Sequence, residues 1–379
     1  MSTGSRGPTN DRSPARAGVV AVAQAAGVAP STVSNVYNRP DVVSPALHVR
    51  VRRAAAELGY DGADPAGRNL RKGRHNAIGI VMRERLGYSF EDPAAIQLMQ
   101  GFSDAADPQQ LALVIVPAYP EAGASAGPAA RHVAVDGLIV YSLVGDDPLI
   151  DAVRRRRLPT VVVDSPANTG TTTSNRFDFV GIDEVQPART AMNHLIALGH
   201  RRLAILSTRL SARDRPGLAG LPRQSAATAS VAIGRLRGAA EAVATTGLDW
   251  GDVPVVQCQM SSIEDGRTGT HTLLEAAPQT TALFAFSDPL ALGARLAAHE
   301  RGLDVPRDLS IIGFDDSAPA DQGLTTIHQP LRDKGRIATE RLLGALAGVR
   351  PPHPLLLPTH LVIRTSTCPP ATAGGAGGA

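Results

Sequence analysis

Residues 19–60 read VVAVAQAAGVAPSTVSNVYNRPDVVSPALHVRVRRAAAELGY, and this stretch predicts three short helices. Apolar residues recur every three to four positions over Val19–Ala26, and Gly27 supplies the left-handed backbone that ends many helices. Pro30 favours the first turn of a second helix, where a missing N–H costs nothing. Ser44 is the predicted cap of a third helix. We expect that third helix to bury four apolar side chains, Leu47, Val51, Ala55 and Leu58.

The outward face of the second helix carries only short hydrogen-bonding side chains, Ser31, Ser34, Asn35 and Asn38. Two helices joined by a short Gly-containing turn and braced by a third form a helix-turn-helix, whose second helix can enter the DNA major groove. The alternative is a small helical bundle with a polar outer face. Charge favours DNA, because residues 1–75 hold eleven Arg and Lys against five acids. That is a net charge of +6, against −3 for the rest of the chain.

Three segments carry a closer resemblance. AGVAPSTVSNVYN begins at Ala26, VSPALHVRVRRAAAELGY begins at Val43, and RNLRKGR begins at Arg68. In this order they resemble the lactose-repressor (LacI/GalR) family of bacterial transcription regulators, and the similarity continues over roughly residues 17–365. The resemblance implies a homodimeric DNA-binding regulator, most often a repressor, whose affinity for operator DNA is modulated by a small molecule.

The resemblance also assigns the DNA-contacting side chains. Those expected against base edges or neighbouring phosphates are Ser31, Thr32, Ser34, Asn35 and Asn38. Those expected to anchor phosphates are Arg50, Arg68 and Arg71. Leu70 matches a leucine that wedges into the minor groove in the family, and its alternative role is an apolar contact with the body. Ala29 stands where a serine cap is usual, Asn35 where an arginine is common, and Gly67 where alanine would favour a helix.

The composition predicts five segments. They are a disordered N-terminal tail over 1–16, the helix-turn-helix head over 17–60, a hinge over 61–75, a body over 76–365 and a disordered C-terminal tail over 366–379. In the body, short apolar runs alternate with amphipathic helical stretches, which is typical of parallel sheets covered on both faces. We therefore expect an α/β body of two Rossmann-like lobes, periplasmic-binding-protein-like, with a ligand cleft at the carboxyl ends of the strands.

The resemblance places the division between the lobes near Leu206 and the return crossing at residues 315–335. It also places ligand-contacting side chains in the cleft. The expected effector contacts are Asp164, Arg235 and Asp288, with Tyr88 and Phe90 as possible lining. The alternative for the charged residues is a helix cap or a surface ion pair, and for the two aromatics ordinary packing. Asp315 and Asp316 are interpreted as a tight turn and are left out of the site.

Other function classes find little support. No GxSxG, no Walker A motif and no His/Cys cluster with metal-ligand spacing is present, so we expect no enzyme, no cofactor and no metal. His194 and His200 flank a predicted helix end and are expected at the surface. No long apolar run and no apolar leader are visible, which predicts a cytoplasmic protein with no membrane partner.

Two alternatives to an effector-controlled regulator remain from the sequence. One is a DNA-binding regulator whose body binds no ligand, since VMRERLGYSFEDPAAIQ, which begins at Val81, departs from the family pattern. The other is a solute-binding protein, which would need export and no basic head.

Overall fold

A computed structural model describes most of the head and body. The described residues are 18–60, 74–82, 84, 86–117, 128–141, 143, 147–165, 177–211, 215–349 and 354–371. The chain divides into two compact units, Met1–His75 and Asn76–Ala379. The predicted N-terminal tail, most of the predicted hinge with Gly67, Arg68, Leu70 and Arg71, and the last eight residues lie outside the described residues.

The head contains three helices, α1 (Val19–Ala26), α2 (Pro30–Asn38) and α3 (Pro45–Glu57), as the sequence predicts. Gly27 has a φ of 60°, which is the left-handed conformation expected at the end of α1. The head core is built from one apolar stripe of each helix, with Val22, Ala23, Ala26, Val33, Val36, Val51, Ala54 and Ala55 buried. The helix-turn-helix fold of the head is confirmed.

Three details of the third helix differ from the prediction. Leu47 is half-buried and lies outside the head core, which takes its apolar residues from other positions of α3. Leu58 is exposed rather than buried, because α3 ends at Glu57 and the chain turns there. Tyr60 packs in its place, with its ring edge-to-face against Tyr37 at a centroid distance of 5.7 Å. Ser44 does occupy the cap position of α3, but its side chain makes no capping hydrogen bond among the described residues.

The first lobe of the body is a six-stranded parallel sheet. Its strands run in the order β12-β5-β4-β3-β1-β2 and comprise β1 (Ala77–Met82), β2 (Ala112–Pro117), β3 (Gly137–Tyr141), β4 (Thr160–Val163), β5 (Asp178–Gly181) and β12 (Leu355–Leu356). Its helices are α4 (Leu86–Ser89), α5 (Pro93–Ala106), α6 (Pro128–His132), α7 (Pro148–Arg156) and α13 (Leu331–Leu346). The continuous apolar runs of β1 and β4 are fully buried, as expected for a sheet covered on both faces.

The second lobe is a five-stranded sheet in the order β10-β9-β6-β8-β7, in which only β7 is antiparallel to its neighbour. The strands are β6 (Leu203–Ser207), β7 (Gly217–Leu218), β8 (Val255–Gln257), β9 (Ala282–Ala285) and β10 (Ser310–Ile312). The helices are α8 (Val185–Ala197), α9 (Leu221–Ser225), α10 (Ser230–Ala244), α11 (Ile263–Ala276) and α12 (Asp288–Glu300). The two-lobed α/β body is therefore confirmed.

The chain passes between the lobes earlier than predicted. It leaves the first sheet after β5, and the next helix, α8, already packs on α10 of the second lobe. Leu206 lies inside β6, so the predicted division there is wrong. The return falls within the predicted region, because α13 packs on α5 of the first lobe. A two-stranded antiparallel ribbon of β11 (Thr326–His328) and β13 (His360–Val362) accompanies the crossings.

The segment predicted as a disordered C-terminal tail is ordered up to its described end at Ala371. Ser366 is buried, its carbonyl accepts a hydrogen bond from Ile311 N at 2.8 Å, and its hydroxyl accepts one from Thr325 N at 2.8 Å. His200 is also buried rather than at the surface, and its Nε2 lies 2.9 Å from the carbonyl oxygen of Cys368. These polar groups bind the segment to the second lobe, which the polar composition of the tail did not indicate.

No single helix among the described residues is long and apolar enough to cross a membrane. The bent pair of α1 and α2 passes that test by length and composition alone. Both helices contribute buried residues to the head core.

Candidate DNA-contacting face and inter-lobe cavity

The predicted DNA-contacting residues of α2 lie on one side of the head. Ser31, Ser34 and Asn38 are exposed, while Thr32 and Asn35 are half-buried. Ser31, Ser34 and Asn38 share a concavity of about 260 Å³ with Tyr37 and Tyr60. The structure thus brings together three of the five predicted side chains, Ser31, Ser34 and Asn38, while Thr32 and Asn35 do not line this concavity.

Basic side chains surround this face. Arg50 is exposed, and its guanidinium lies 3.5 Å from the carbonyl oxygen of Gly27 at the end of α1. Arg52 stacks over the ring of Tyr37 at 5.0 Å, and the Tyr37 hydroxyl donates to the carbonyl oxygen of Tyr60 at 3.2 Å. These contacts hold two arginines in place while leaving their charge available at the surface.

The body contains a cavity of about 160 Å³ between its two lobes. It lies at the carboxyl ends of β1, β3, β4, β6 and β8, where the two parallel sheets face each other. Its polar lining comprises Glu84, Tyr88, Ser89, Asp92, Tyr141, Asp164, Ser165, Glu184, Thr208, Arg209, Arg235, Gln259, Ser261, Asp315 and Gln329. The position is the one at which open α/β sheets bind ligands.

Asp164 lines this cavity, as predicted for an effector contact. It follows β4 in a left-handed conformation, with a φ of 60°. Both of its carboxylate oxygens accept hydrogen bonds from the ammonium group of Lys334, at 2.7 and 2.8 Å. Lys334 is fully buried and also donates to Gln329, whose amide donates in turn to Asp315. A network of hydrogen-bonded side chains therefore links Asp164 of the first lobe to the crossing segments.

Arg235 also lines the cavity, on α10. Its Nε donates to Glu184 at 2.7 Å, and its guanidinium lies 3.5 Å from the centre of the Phe314 ring. Burial acts to lower the pKa of Arg235, but the carboxylates of Glu184 and Asp315 outweigh it and raise that pKa above its usual value. Arg235 therefore stays charged inside the protein.

Two glycines of α10, Gly234 and Gly238, explain how Arg235 reaches Glu184. A Cβ atom on Gly238 would lie 2.1 Å from the carbonyl oxygen of Val185, and one on Gly234 would lie 2.5 Å from the Cβ of Glu184. Only glycine allows α10 to approach α8 this closely. The helix contact in turn sets the ion pair at the cavity wall.

The two aromatic residues predicted to line the cleft lie in different environments in the structure. Tyr88 lines the cavity, and its hydroxyl oxygen accepts a hydrogen bond from Ser261 N of the second lobe at 3.0 Å. Burial raises the pKa of Tyr88, with the charges of Asp92 and Glu84 adding to the effect. Phe90 is 61% exposed and does not line the cavity, so its prediction is corrected. The reason is that α4 ends at Ser89 and a turn directs Phe90 outward.

Asp288 is likewise not part of the cavity lining, and its prediction as an effector contact is corrected. It is fully buried, and its carboxylate accepts hydrogen bonds from the backbone N–H and hydroxyl of Ser317 and from the hydroxyl of Thr326. Burial, with the charge of Asp315 added, raises its pKa to about 8. Asp288 therefore holds the crossing segments in place through hydrogen bonds to Ser317 and Thr326, and it does not line the cavity.

Several lining residues were missed by the sequence analysis. Asp315 was interpreted as a turn residue, and its φ of 111° does mark a turn, yet its carboxylate lines the cavity. Arg209 of the second lobe pairs with Glu84 of the first at 3.3 Å. The one available signal was that Asp315 follows a buried strand, as Asp164 does; the pairing of Arg209 with Glu84 has no local signal.

Carboxyl groups outnumber basic groups around the cavity. Glu84, Asp164 and Glu184 each pair with a cation, whereas Asp92 accepts from Ala94 N at 3.1 Å and Asp315 accepts from Gln329. Burial, together with the charge of Asp315, raises the pKa of Asp92 to about 7. Burial also raises the pKa of Asp315 to about 6. The cavity is therefore rich in hydrogen-bond acceptors, which suits ligands that carry several hydroxyl donors.

Two family descriptions match the chain. "Bacterial regulatory proteins, lacI family" matches residues 21–62, and "Periplasmic binding protein-like domain" matches residues 192–367. The HTH-type transcriptional regulator IpsA of Corynebacterium glutamicum is 36% identical over 329 residues, covering 86% of this chain and 90% of that protein. The chain belongs to the lacI family. It is a DNA-binding transcription regulator.

Solved structures of this family are similar over almost the whole chain. A transcriptional regulator CelR–cellobiose complex has a TM-score of 0.65 and 27% identity, and the match covers 93% of this chain and 100% of that one. The lac repressor dimer bound to operator and the anti-inducer ONPF has a TM-score of 0.69 and 25% identity, covering 92% and 98%. One of these two relatives was solved with bound cellobiose, and the other with bound operator and ONPF. Both are similar in fold to the chain described above.

Proposed function

We propose that this protein is a homodimeric transcriptional repressor of the cytoplasm, with no catalytic activity. Its affinity for operator DNA is modulated by a sugar-like or nucleoside-like molecule bound between the lobes. The observation that carries the effector role is the polar cavity at the strand ends, where both lobes supply hydrogen-bond acceptors to one shared cleft. The cellobiose-bound and operator-bound relatives support both halves of the proposal.

On DNA, Ser31, Thr32, Ser34, Asn35 and Asn38 contact base edges or the phosphates beside them. Asn35 is the strongest candidate for base recognition, because its amide can form two hydrogen bonds to adenine. Arg50, together with Arg68 and Arg71 outside the described residues, binds phosphates and sets position without specifying sequence. Leu70 wedges into the minor groove between the paired heads.

In the body, Asp164, Arg235 and Tyr88 contact the effector, and Asp315 joins them. Tyr88–Ser261 and Arg209–Glu84 each join the first lobe to the second across the cavity. A ligand that replaces or reinforces these bonds changes how tightly the lobes close. Coupling free energies of this kind are typically about 1–3 kcal/mol.

The first experiment selects bound sequences from random duplex DNA over a series of salt concentrations. We expect a palindromic site with a central pyrimidine–purine step and a steep fall of affinity with salt. Asn35→Ala should relax base preference at one position of each half-site, by about 1–3 kcal/mol of discrimination. Unchanged preference in Asn35→Ala would remove its base-reading role, while weak binding without any sequence preference would contradict the proposed operator recognition as a whole.

A second candidate is a regulator whose body binds no effector. It is favoured by one observation: Asp164, Glu184 and Glu84 are each already paired with a cation of the protein itself. A thermal-shift series with sugars, nucleosides and purines separates the two candidates, since a ligand that binds the folded state raises its stability. Stabilisation by a hydroxyl-rich compound that is lost in Tyr88→Phe or Asp315→Asn supports the effector-binding candidate. No stabilisation by any compound supports the ligand-free one.

A further inference from the structure

A run of four arginines, Arg154–Arg157, ends α7 and takes no part in the DNA-contacting face of the head or in the cavity. Arg155 and Arg157 are exposed, and so is Arg131 at the end of α6. No ion pair of these three is seen among the residues that the structure describes. The first lobe therefore carries a concentrated positive patch, defined here as Arg131, Arg155 and Arg157.

The other two arginines of the run have structural partners. Arg156 donates to the carbonyl oxygens of Ala130 at 3.1 Å and Val133 at 2.6 Å, which holds the end of α7 against the end of α6. Arg154 lies 3.5 Å from Asp151 and 5.8 Å from the ring centre of Phe177. Arg156 in particular fixes the spacing between Arg131 and the rest of the positive patch.

The patch lies at the edge of the first sheet opposite the cavity. α6 and α7 end just before β3 and β4 begin, and parallel strands begin at one common edge. Asn76, where the body starts, donates from its backbone N–H to Asp136 at 2.8 Å, and Leu138 N donates to the carbonyl oxygen of Pro159 at 3.0 Å. The patch therefore lies at the edge of the first sheet where the chain enters the body.

The backbone of Arg157 argues against a role limited to the helix dipole. Basic residues in the last turn of a helix interact favourably with its carboxyl end, which accounts for Arg154–Arg156. Arg157 lies beyond that turn with a φ of 53°, a conformation in which glycine is favoured over every residue with a Cβ atom. Arg157 thus has a backbone conformation that would suit glycine better.

We propose that the positive patch is an additional DNA-backbone contact of the body, outside the bases read by α2. Residues 61–75 connect the head to the body, and fifteen extended residues span at most roughly 50 Å. The patch lies at the edge of the first sheet where this connecting segment ends and the body begins at Asn76. Duplex DNA carries one charge per about 1.7 Å of axis, and guanidinium groups match phosphate oxygens bidentately.

The test uses the full chain and a labelled duplex of random sequence about six helical turns long. The triple variant Arg131→Gln, Arg155→Gln, Arg157→Gly is compared with a control that removes the same charge from exposed arginines of the second lobe, Arg202→Gln, Arg237→Gln and Arg307→Gln. The slope of log affinity against log salt should fall by about 0.9 for each phosphate that the variant no longer neutralises, up to roughly 2.7 per protomer. The control should retain the parent slope.

Folding is checked in the same variants. Arg157→Gly alone should keep or raise the melting temperature, because its φ suits glycine, so weaker DNA binding would not reflect unfolding. A patch variant with the same slope as the control would overturn the proposal. An unchanged slope combined with abolished binding to polyglutamate would assign the patch to an acidic protein surface and would overturn it as well.

Discussion

In the head, the side chains proposed to contact bases are short, lie on one helix and project from a small apolar core. In the inter-lobe cavity, the side chains proposed to contact the effector come from elements far apart in sequence and are held by partners inside the protein. Asn35 and Ser34 belong to α2 alone, whereas Asp164 depends on Lys334 and Arg235 depends on Glu184. The head can therefore lose a functional side chain with little change in stability, while the cavity cannot.

The largest expected effect tests that dependence directly. Lys334→Met leaves the carboxylate of Asp164 buried without its cation, and we expect the free energy of unfolding to fall by about 3–5 kcal/mol. Urea denaturation measures it. The matched control is Arg53→Ala in the head, whose partner Glu57 is 63% exposed, and it should cost under about 0.5 kcal/mol. Equal losses of stability in the two variants would contradict this difference between head and cavity. Recovery of stability in the double variant Lys334→Met/Asp164→Leu would support it, because no buried carboxylate is then left without a cation.

A second prediction concerns pH. Burial raises the pKa of Asp92 to about 7, above its value in the unfolded chain, so the folded protein binds more protons between about pH 4 and pH 7. Stability should therefore fall as pH rises through that window, by an amount on the order of a few kcal/mol at most.

Asp92→Asn should reduce this dependence in urea denaturation at pH 5 to 8, and the fall that remains belongs to Asp288 and Asp315, whose pKa values burial also raises. His200 acts in the opposite direction, since burial lowers its pKa and its neutral form is favoured as pH rises. The variant isolates the contribution of Asp92 from that of His200. A profile with the same slope in parent and variant would show that Asp92 is ionised in the folded state.

The third prediction compares one glycine in each region. Gly238→Ala places a Cβ atom 2.1 Å from a backbone oxygen of α8, and overpacking of this kind costs about 1–3 kcal/mol. Gly27→Ala meets nothing within 4 Å and is opposed only by its φ of 60°, so about 1 kcal/mol is expected. Thermal melting should show the body variant as the more damaged one. The reverse order would mean that α8 and α10 can separate at little cost.

The smallest expected effect is a gain. Ala29 precedes α2 without a side-chain cap, so Ala29→Ser should supply a hydroxyl acceptor for the first turn of the helix. We expect the head to gain about 0.5–1 kcal/mol, measured as slower amide exchange in α2. Ala29→Val cannot cap the helix and is the control. Equal exchange in the serine and valine variants would show that the first turn is satisfied without a cap.

The difference between head and cavity also explains how far the sequence could be read. Local sequence predicted the bounds of α1 and the start of α2 because the residues that decide them lie next to one another in the chain. Alternating strands and helices predicted two parallel sheets, and strand ends pointed correctly to Asp164. Asp288 satisfies the same rule and yet turns away, because Ser317 and Thr326, more than twenty-five residues later, capture its carboxylate.

Other misses have the same origin. Asp315 is a turn residue and a cavity residue at once, and local sequence shows only the first. The boundary between the lobes, which the resemblance placed near Leu206, was wrong because the chain leaves the first sheet after β5 and β6 already belongs to the second sheet. In the second lobe α8 packs on α10, and the glycines of α10 that allow this close approach lie about fifty residues after the start of α8 in the chain.

The ordered segment after Arg364 has a consequence for where the chain can be shortened. A protein ending at Arg364 would lack Ser366, leaving the backbone N–H groups of Ile311 and Thr325 buried without their acceptors. The second lobe would then expose the edge of β10, an open template onto which another extended chain could add. Residues 365–371 thus cover this edge, and we expect a chain shortened to Arg364 to self-associate. Tags are therefore best attached beyond Ala371.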